Sequence, residues 1–281
     1  MYASFVAVGD SFTEGLDDLQ PDGTYRGWAD LVAARLAARD PGLRYANLAV
    51  RGRRLERIRD EQVPRAVAMR PDLITLAAGG NDILGFRVDV PSLTESFHHM
   101  VVDLTRTGAT VVVFAGFDPR GRLPLSRVLA ARAAGYNAAV VGSARALGAH
   151  VVDLWHLVEL YQDDMWAPDR LHLSSRGHLL VADAVLGVLG FEGEHATAAS
   201  GALTDAARRR WLAARRDDAA WARTYLAPWV GRKIRGRSTG DLVEPKRPEL
   251  TLLAERSEPS GLSPRRIDLR EMDHHAATDR S

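Results

Sequence analysis

Short apolar runs alternate with longer amphipathic stretches over about the first 190 residues of the chain. The runs at 4–8, 44–50, 73–78, 110–115 and 150–154 have strand length and composition. Between them, 28–39, 55–69, 93–107 and 126–147 are rich in Ala, Leu and Arg and too long for hairpin connections, so the spacing predicts crossover helices. Runs 73–78 and 110–115 are almost wholly apolar and do not alternate, as expected of parallel strands covered on both faces. The prediction is an α/β fold, a three-layer α/β/α sandwich on a five-stranded parallel sheet. Ala182, Val185, Leu186 and Leu189 fall at helical spacing, so a last helix over 176–189 closes this domain before Gly190.

Beyond Gly190 the pattern changes, which predicts a catalytic-size domain over 1–190, a basic helical extension over 191–237 and a flexible tail over 238–281. The tail mixes Pro, Ser, Glu and Arg with few aromatic residues, too little apolar surface to offset the cost of ordering. The 281 residues are 46% hydrophobic and 26% charged, enough to bury a core. The absence of cysteine excludes disulfide and thiolate chemistry, and the apolar opening MYASFVAVGD lacks the flanks of a signal peptide, so a cytoplasmic protein is expected. No run approaches the roughly 20 apolar residues of a membrane span.

Candidate chemistry lies where the predicted strands end. The first runs into Gly9-Asp10-Ser11, a tight turn that lifts a serine hydroxyl to the carboxyl edge of the sheet, where open α/β sheets place their sites. The same tripeptide also fits a plain turn whose serine caps the next segment. Gly52 follows the second strand, as a turn glycine or as a backbone N–H that approaches a ligand. Gly79-Gly80-Asn81-Asp82 follows the third, offering close approach and a side-chain amide donor, or a cap. Serine needs a base, and Asp169-Arg170-Leu171-His172 supplies a histidine with an orienting carboxylate just before the last helix; the alternative is a helix cap or surface ion pair. His178 competes as the base, but its place inside the last helix predicts packing or loop orientation.

These four blocks, in this order, resemble the markers of the SGNH/GDSL hydrolase family. The resemblance implies a flavodoxin-like sheet and an acyl-enzyme mechanism, with Ser11 as nucleophile, His172 as base and Asp169 as its orienting acid. It further implies an oxyanion hole from the Ser11 N–H, the Gly52 N–H and the Asn81 amide, with Gly9, Asp10, Gly79, Gly80 and Asp82 as supporting motif residues. Phe12 stands where many members have leucine, and with Leu173 it is expected to shape the pocket entrance. The expected partner is a small ester, with short acyl or acetyl groups favoured. Thioesters, sugar acetates, lysophospholipids and acyl transfer share the chemistry, and a noncatalytic binding scaffold is the alternative class.

No cofactor or metal is expected, because the His98-His99 and His274-His275 pairs lack further ligands at suitable spacing. The overall charge of +1 gives no reason to expect nucleic acid. Residues 203–240 carry ten basic against three acidic residues, with Trp211, Trp221, Tyr225 and Trp229 interleaved. That segment reads first as an accessory helix packed on the domain and second as a membrane-surface helix. Pocket walls are expected from the loops over 16–26 and 85–91, and oligomeric state is not legible.

Overall fold

The computed structural model describes residues 1–85, 88–120, 126–191, 220–227 and 239–253. Each of the five apolar runs forms a strand: β1 (Ser4–Val8), β2 (Arg44–Asn47), β3 (Leu73–Leu76), β4 (Thr110–Ala115) and β5 (His150–Asp153). All pair in parallel, in the order β5-β4-β3-β1-β2, which is the flavodoxin-like arrangement. The crossovers are helical. They comprise α1 (Ser11–Glu14), α2 (Gly27–Arg39), α3 (Leu55–Arg57) running through a π-helical stretch Ile58–Gln62 into α4 (Val63–Met69), α5 (Gly80–Ile83), α6 (Val90–Thr105) and α7 (Ser126–Leu147), and α8 (Ser175–Val188) follows the last parallel strand.

Alternation along β1 explains the three layers. Phe5 and Ala7 join Trp28, Val32, Val181 and Val185 on the face covered by α2 and α8. Val6 and Val8 join Ile58, Phe97, Met100 and Val140 on the opposite face. Every β1 residue is buried, so neither face tolerates the polar half of an amphipathic strand.

Two expectations change. The sheet has six strands, because β6 (Arg247–Leu252) adds antiparallel to the edge strand β2, and residues 239–253 are therefore ordered structure and not flexible tail. An edge strand needs only one hydrogen-bonding neighbour and little burial, so six residues containing Pro248 form one inside a stretch of polar average composition. The remainder of the predicted tail, 254–281, and the basic extension apart from 220–227 lie outside the described residues.

Lys246 anchors this return. Its ammonium donates to the carbonyls of Glu14 (2.6 Å), Tyr25 (3.0 Å) and Arg26 (2.7 Å) and pairs with Asp30. Gly240 packs so tightly on the loop after β2 that a Cβ would lie 2.0 Å from the Arg51 carbonyl oxygen. Asp241 pairs with Arg53 and Arg57. Lys246→Met leaves Asp30 and three carbonyls without their cation and is expected to lower stability by about 2 kcal/mol, read from urea unfolding. A loss below about 0.5 kcal/mol, the range of an ordinary surface change, would show that the return is merely laid on the domain.

Candidate active site

The end of β1 is held by a buried amide. Gly9 N–H donates to Gln62 Oε1 (2.9 Å), and Gln62 Nε2 donates back to the Gly9 carbonyl (2.9 Å). Gln62 closes the π-helical stretch, a local widening of the helix that recurs at functional sites. Asp10, not Ser11, is the N-cap of α1, its carboxylate accepting from Phe12 N–H at 3.1 Å. Ser11 is thus the first residue of α1 with its hydroxyl directed elsewhere. The short helix then presses on α2: Gly15 at φ 93° and Gly27 at φ 76° meet backbone to backbone, and a Cβ on Gly27 would lie 2.3 Å from the Gly15 Cα.

The serine hydroxyl lies 3.0 Å from His172 Nε2, across 161 residues of sequence. On the other side of the ring, His172 Nδ1 lies 2.5 Å from Asp169 Oδ2. Asp169 Oδ1 also accepts from the Leu171 and His172 backbone N–H groups, both at 3.0 Å, so one carboxylate shapes the turn and orients the ring. Arg170 adopts φ 61° to make that turn. Burial pulls His172 down, but hydrogen bonds and charge from Asp169 and Asp17 outweigh it and raise the imidazole to about 9. Burial opposes ionisation of Asp169 too, and its bonds to His172 and Leu171 hold it below the ordinary carboxylate value.

The third block knits the loops together. Asn81 Nδ2 donates to Asp10 Oδ2 (2.9 Å) and to the Arg53 carbonyl (3.1 Å), while Asp82 Oδ2 accepts from Leu55 N–H (2.9 Å). Burial raises Asp10 to about 6 against the Phe12 N–H, the charge of His172 and the Asn81 amide, with Asp82 adding to the rise. Gly79 takes φ 93°, and Tyr136 fills the place of its missing side chain, 2.5 Å from a notional Cβ. Gly52 adopts φ 71° in the loop after β2, next to the Arg53 carbonyl that Asn81 reaches.

Ser11, Asn81, Gly80 and His172 line one apolar cavity of about 150 Å³, with Phe12, Leu173, Phe114, Phe117, Trp166 and Tyr136 among its walls; Gly52 stands outside this lining. Phe12 and Leu173, expected to shape the pocket entrance, are walls of this cavity, with Leu173 buried in the core. Leu16 and Leu84 supply wall from the neighbouring loops, while residues 86 and 87 lie outside the described residues. Asp17, Asp169 and His172 are the one cluster among the described residues whose ligand atoms fall within 4.8 Å of one another. Their closest approach is the 2.5 Å hydrogen bond between Nδ1 and Asp169. His98 bonds Ser143 instead, and His274 and His275 lie outside the described residues.

Sequence reading missed Gln62 and Asp17, and named Trp221 only as part of a helix packed on the domain. Glutamine in a helix and aspartate in a loop carry no signal of a distant partner. Trp221 belongs to the extension, and its indole N–H donates to the Asp169 carbonyl at 3.1 Å, with the Arg170 guanidinium 5.0 Å from its ring. Trp211 and Trp229 lie outside the described residues.

An α/β fold with a mostly parallel sheet, carrying serine, histidine and aspartate in contact at its carboxyl edge, is that of the SGNH hydrolases. Residues 7–180 match the model of the GDSL-like Lipase/Acylhydrolase family, and the chain belongs to that family. Among solved structures it is similar to an α/β hydrolase, LAE5, from the metagenome of Lake Arreo, Spain (20% identity, 68% of this chain and 96% of that one, TM-score 0.57). A catalytic mutant of Axe2, an acetylxylan esterase from Geobacillus stearothermophilus, is similar at 20% identity over 67% of this chain and 94% of that one, with TM-score 0.58. The psychrotrophic esterase EstA from Pseudoalteromonas sp. is similar at 15% identity over 67% and 97%, with TM-score 0.54. At these identities the likeness is one of fold. No curated protein matches the chain. No helix among the described residues is long and apolar enough to cross a membrane.

His178 is buried and acts as a strut. Its Nδ1 accepts from Trp28 N–H (3.2 Å), which fixes the proton on Nε2 for donation to the Leu16 carbonyl (3.0 Å). Burial lowers its pKa to about 4. Between about 6.5 and 4 the unfolded chain binds a proton that the folded one refuses, so the strut's stability is present above 6.5 and lost as pH falls through 4. The stability difference between the parent and His178→Gln is therefore expected to narrow by on the order of 2 to 3 kcal/mol from pH 7 to pH 4. A difference that stays constant across that window would place the histidine proton elsewhere.

Proposed function

We propose that the protein hydrolyses carboxylic esters through an acyl-enzyme on Ser11. The observation that carries this reading is the continuous contact Ser11 Oγ to His172 Nε2 (3.0 Å) and His172 Nδ1 to Asp169 (2.5 Å). As Ser11 Oγ bonds to the ester carbonyl carbon, its proton passes to Nε2 and the carbonyl pair moves onto oxygen. The alkoxide leaves with the proton from Nε2, and water repeats the sequence to release the acid. The oxyanion hole that the family resemblance implies comprises the Ser11 N–H and the Asn81 amide, whose residues line the cavity, and the Gly52 N–H, whose residue lies outside that lining. Both Asn81 amide hydrogens already have acceptors in Asp10 and Arg53, so its donation to an oxyanion requires one of those bonds to be shared.

The cavity supports a short acyl group. A 150 Å³ apolar space accepts a group about the size of benzene, which corresponds to roughly six carbons or fewer. In a p-nitrophenyl ester series, turnover is expected to be greatest at about two to six acyl carbons and to fall steeply by about twelve. Fluorophosphonate should label Ser11, and Ser11→Ala should lose both labelling and turnover. Well-folded protein with neither activity nor labelling would reject the enzyme in favour of a binding scaffold. Asn81→Ala should lower kcat by about a hundredfold or more, and a loss within threefold would remove it from the oxyanion hole.

The base must be neutral, and His172 is protonated below about 9. kcat/KM is therefore expected to climb about tenfold per pH unit toward 9 and then level off. A profile already flat from pH 7 would contradict the assignment of His172 as an imidazole raised by its carboxylates.

A further inference from the structure

His172 Nδ1 faces two carboxylates. Besides Asp169 at 2.5 Å, Asp17 Oδ2 lies 3.3 Å away, reaching the ring from the loop between α1 and α2. Resting on the serine-hydrolase reading above, we propose that Asp17 is a second positioning residue for His172, adding to Asp169 a second negative charge beside Nδ1 that stabilises the imidazolium formed when Ser11 is deprotonated.

The placement is built, because both neighbours of Asp17 are tied down. The Leu16 carbonyl accepts from His178 in α8. Asp18 is fully buried; it accepts from Gly27 N–H (3.1 Å) and from Ser175 Oγ (2.6 Å) and pairs with Arg26 at 2.9 Å. Between these anchors Asp17 adopts φ 67°, a left-handed conformation that costs a side-chain-bearing residue energy and is best tolerated by Asn and Asp. Strain of this kind persists where surrounding structure enforces it, and here the enforced direction is toward Nδ1. Asp169 at 2.5 Å takes the Nδ1 proton, and Asp17 at 3.3 Å adds its charge. Among the described residues, the charged and titratable groups facing this ring are Asp17 from the loop after α1, Asp169 from the turn that carries His172, Asp10 from the β1–α1 turn and His178 from α8.

Two carboxylates make the base tolerant of losing either. Where one aspartate alone orients such a histidine, its loss costs about 10⁴-fold in kcat. The experiment compares the parent with Asp17→Asn, Asp169→Ala and the double variant on p-nitrophenyl butyrate, with fluorophosphonate labelling and a pH profile for each. Asparagine keeps the left-handed backbone while removing the charge. We expect Asp17→Asn to lower kcat about tenfold with KM within twofold, and to move the ascending pH limb to lower pH, since the imidazolium loses a stabilising charge. Asp169→Ala should lose about a hundredfold, and the double variant about 10⁴-fold, more than the two single losses multiplied. The proposal is overturned if the double variant is no slower than Asp169→Ala, or if Asp17→Asn leaves both kcat and the pH limb at parent values. Should Asp169→Ala fail to fold, Asp17→Asn with its pH profile decides alone. A parent that is labelled at Ser11 and active, with Asp17→Asn unchanged, removes only this inference. A parent that is neither labelled nor active removes the serine-hydrolase reading and this one with it.

Discussion

The hydrogen bond between Ser11 and His172 closes a gap of 161 residues, and it exists because the sheet is parallel. Parallel strands all end on one edge, so whatever follows β1, β2, β3 and β5 is delivered to the same crevice. That arrangement requires both faces of the sheet to be covered, which the two apolar clusters on either side of β1 accomplish. The Gln62 clamp on Gly9 then sets where β1 stops, and Asp10 takes the helix cap that would otherwise occupy the serine.

A site assembled from four loops must hold them against one another in a largely apolar setting. Polar groups there are costly unless bonded, and the bonds run between loops. Asn81 joins the first and second loops through Asp10 and Arg53, and Asp82 reaches Leu55. His178 ties the loop after α1 to α8 and α2 while staying neutral, and Asp18 does the same from the other side with Arg26, Gly27 and Ser175. The ring of His172 is left between two loops that are each independently fixed.

The family match ends at residue 180, yet residues beyond it support the site. Lys246 binds the carbonyl ends of the β1–α2 connection, Gly240 packs on Arg51, and Trp221 bonds the Asp169 carbonyl. These contacts fall on the two loops that follow β1 and β2 and on the turn that carries His172. Trp221, Gly240 and Lys246 thus belong to the structure that holds the site, although Gly240 and Lys246 fall in the stretch read from composition as a flexible tail.

The five strands, their parallel class, the crossover helices and the four polar blocks are legible in the amino-acid order, because they depend on apolar period and on turn chemistry within a few residues. Strand limits moved inward by one to three residues at β2, β3 and β5, where the apolar run continues past the last ladder bond into the site loops. What tertiary structure decided were matters of pairing at a distance. That Gln62 grips Gly9, that Asp17 turns toward His172 and that 247–252 lies on β2 all depend on which surfaces meet. No local pattern encodes these, since each side chain or edge is satisfied by a group tens to hundreds of residues away. Its energy is gained only after the sheet has brought the two together.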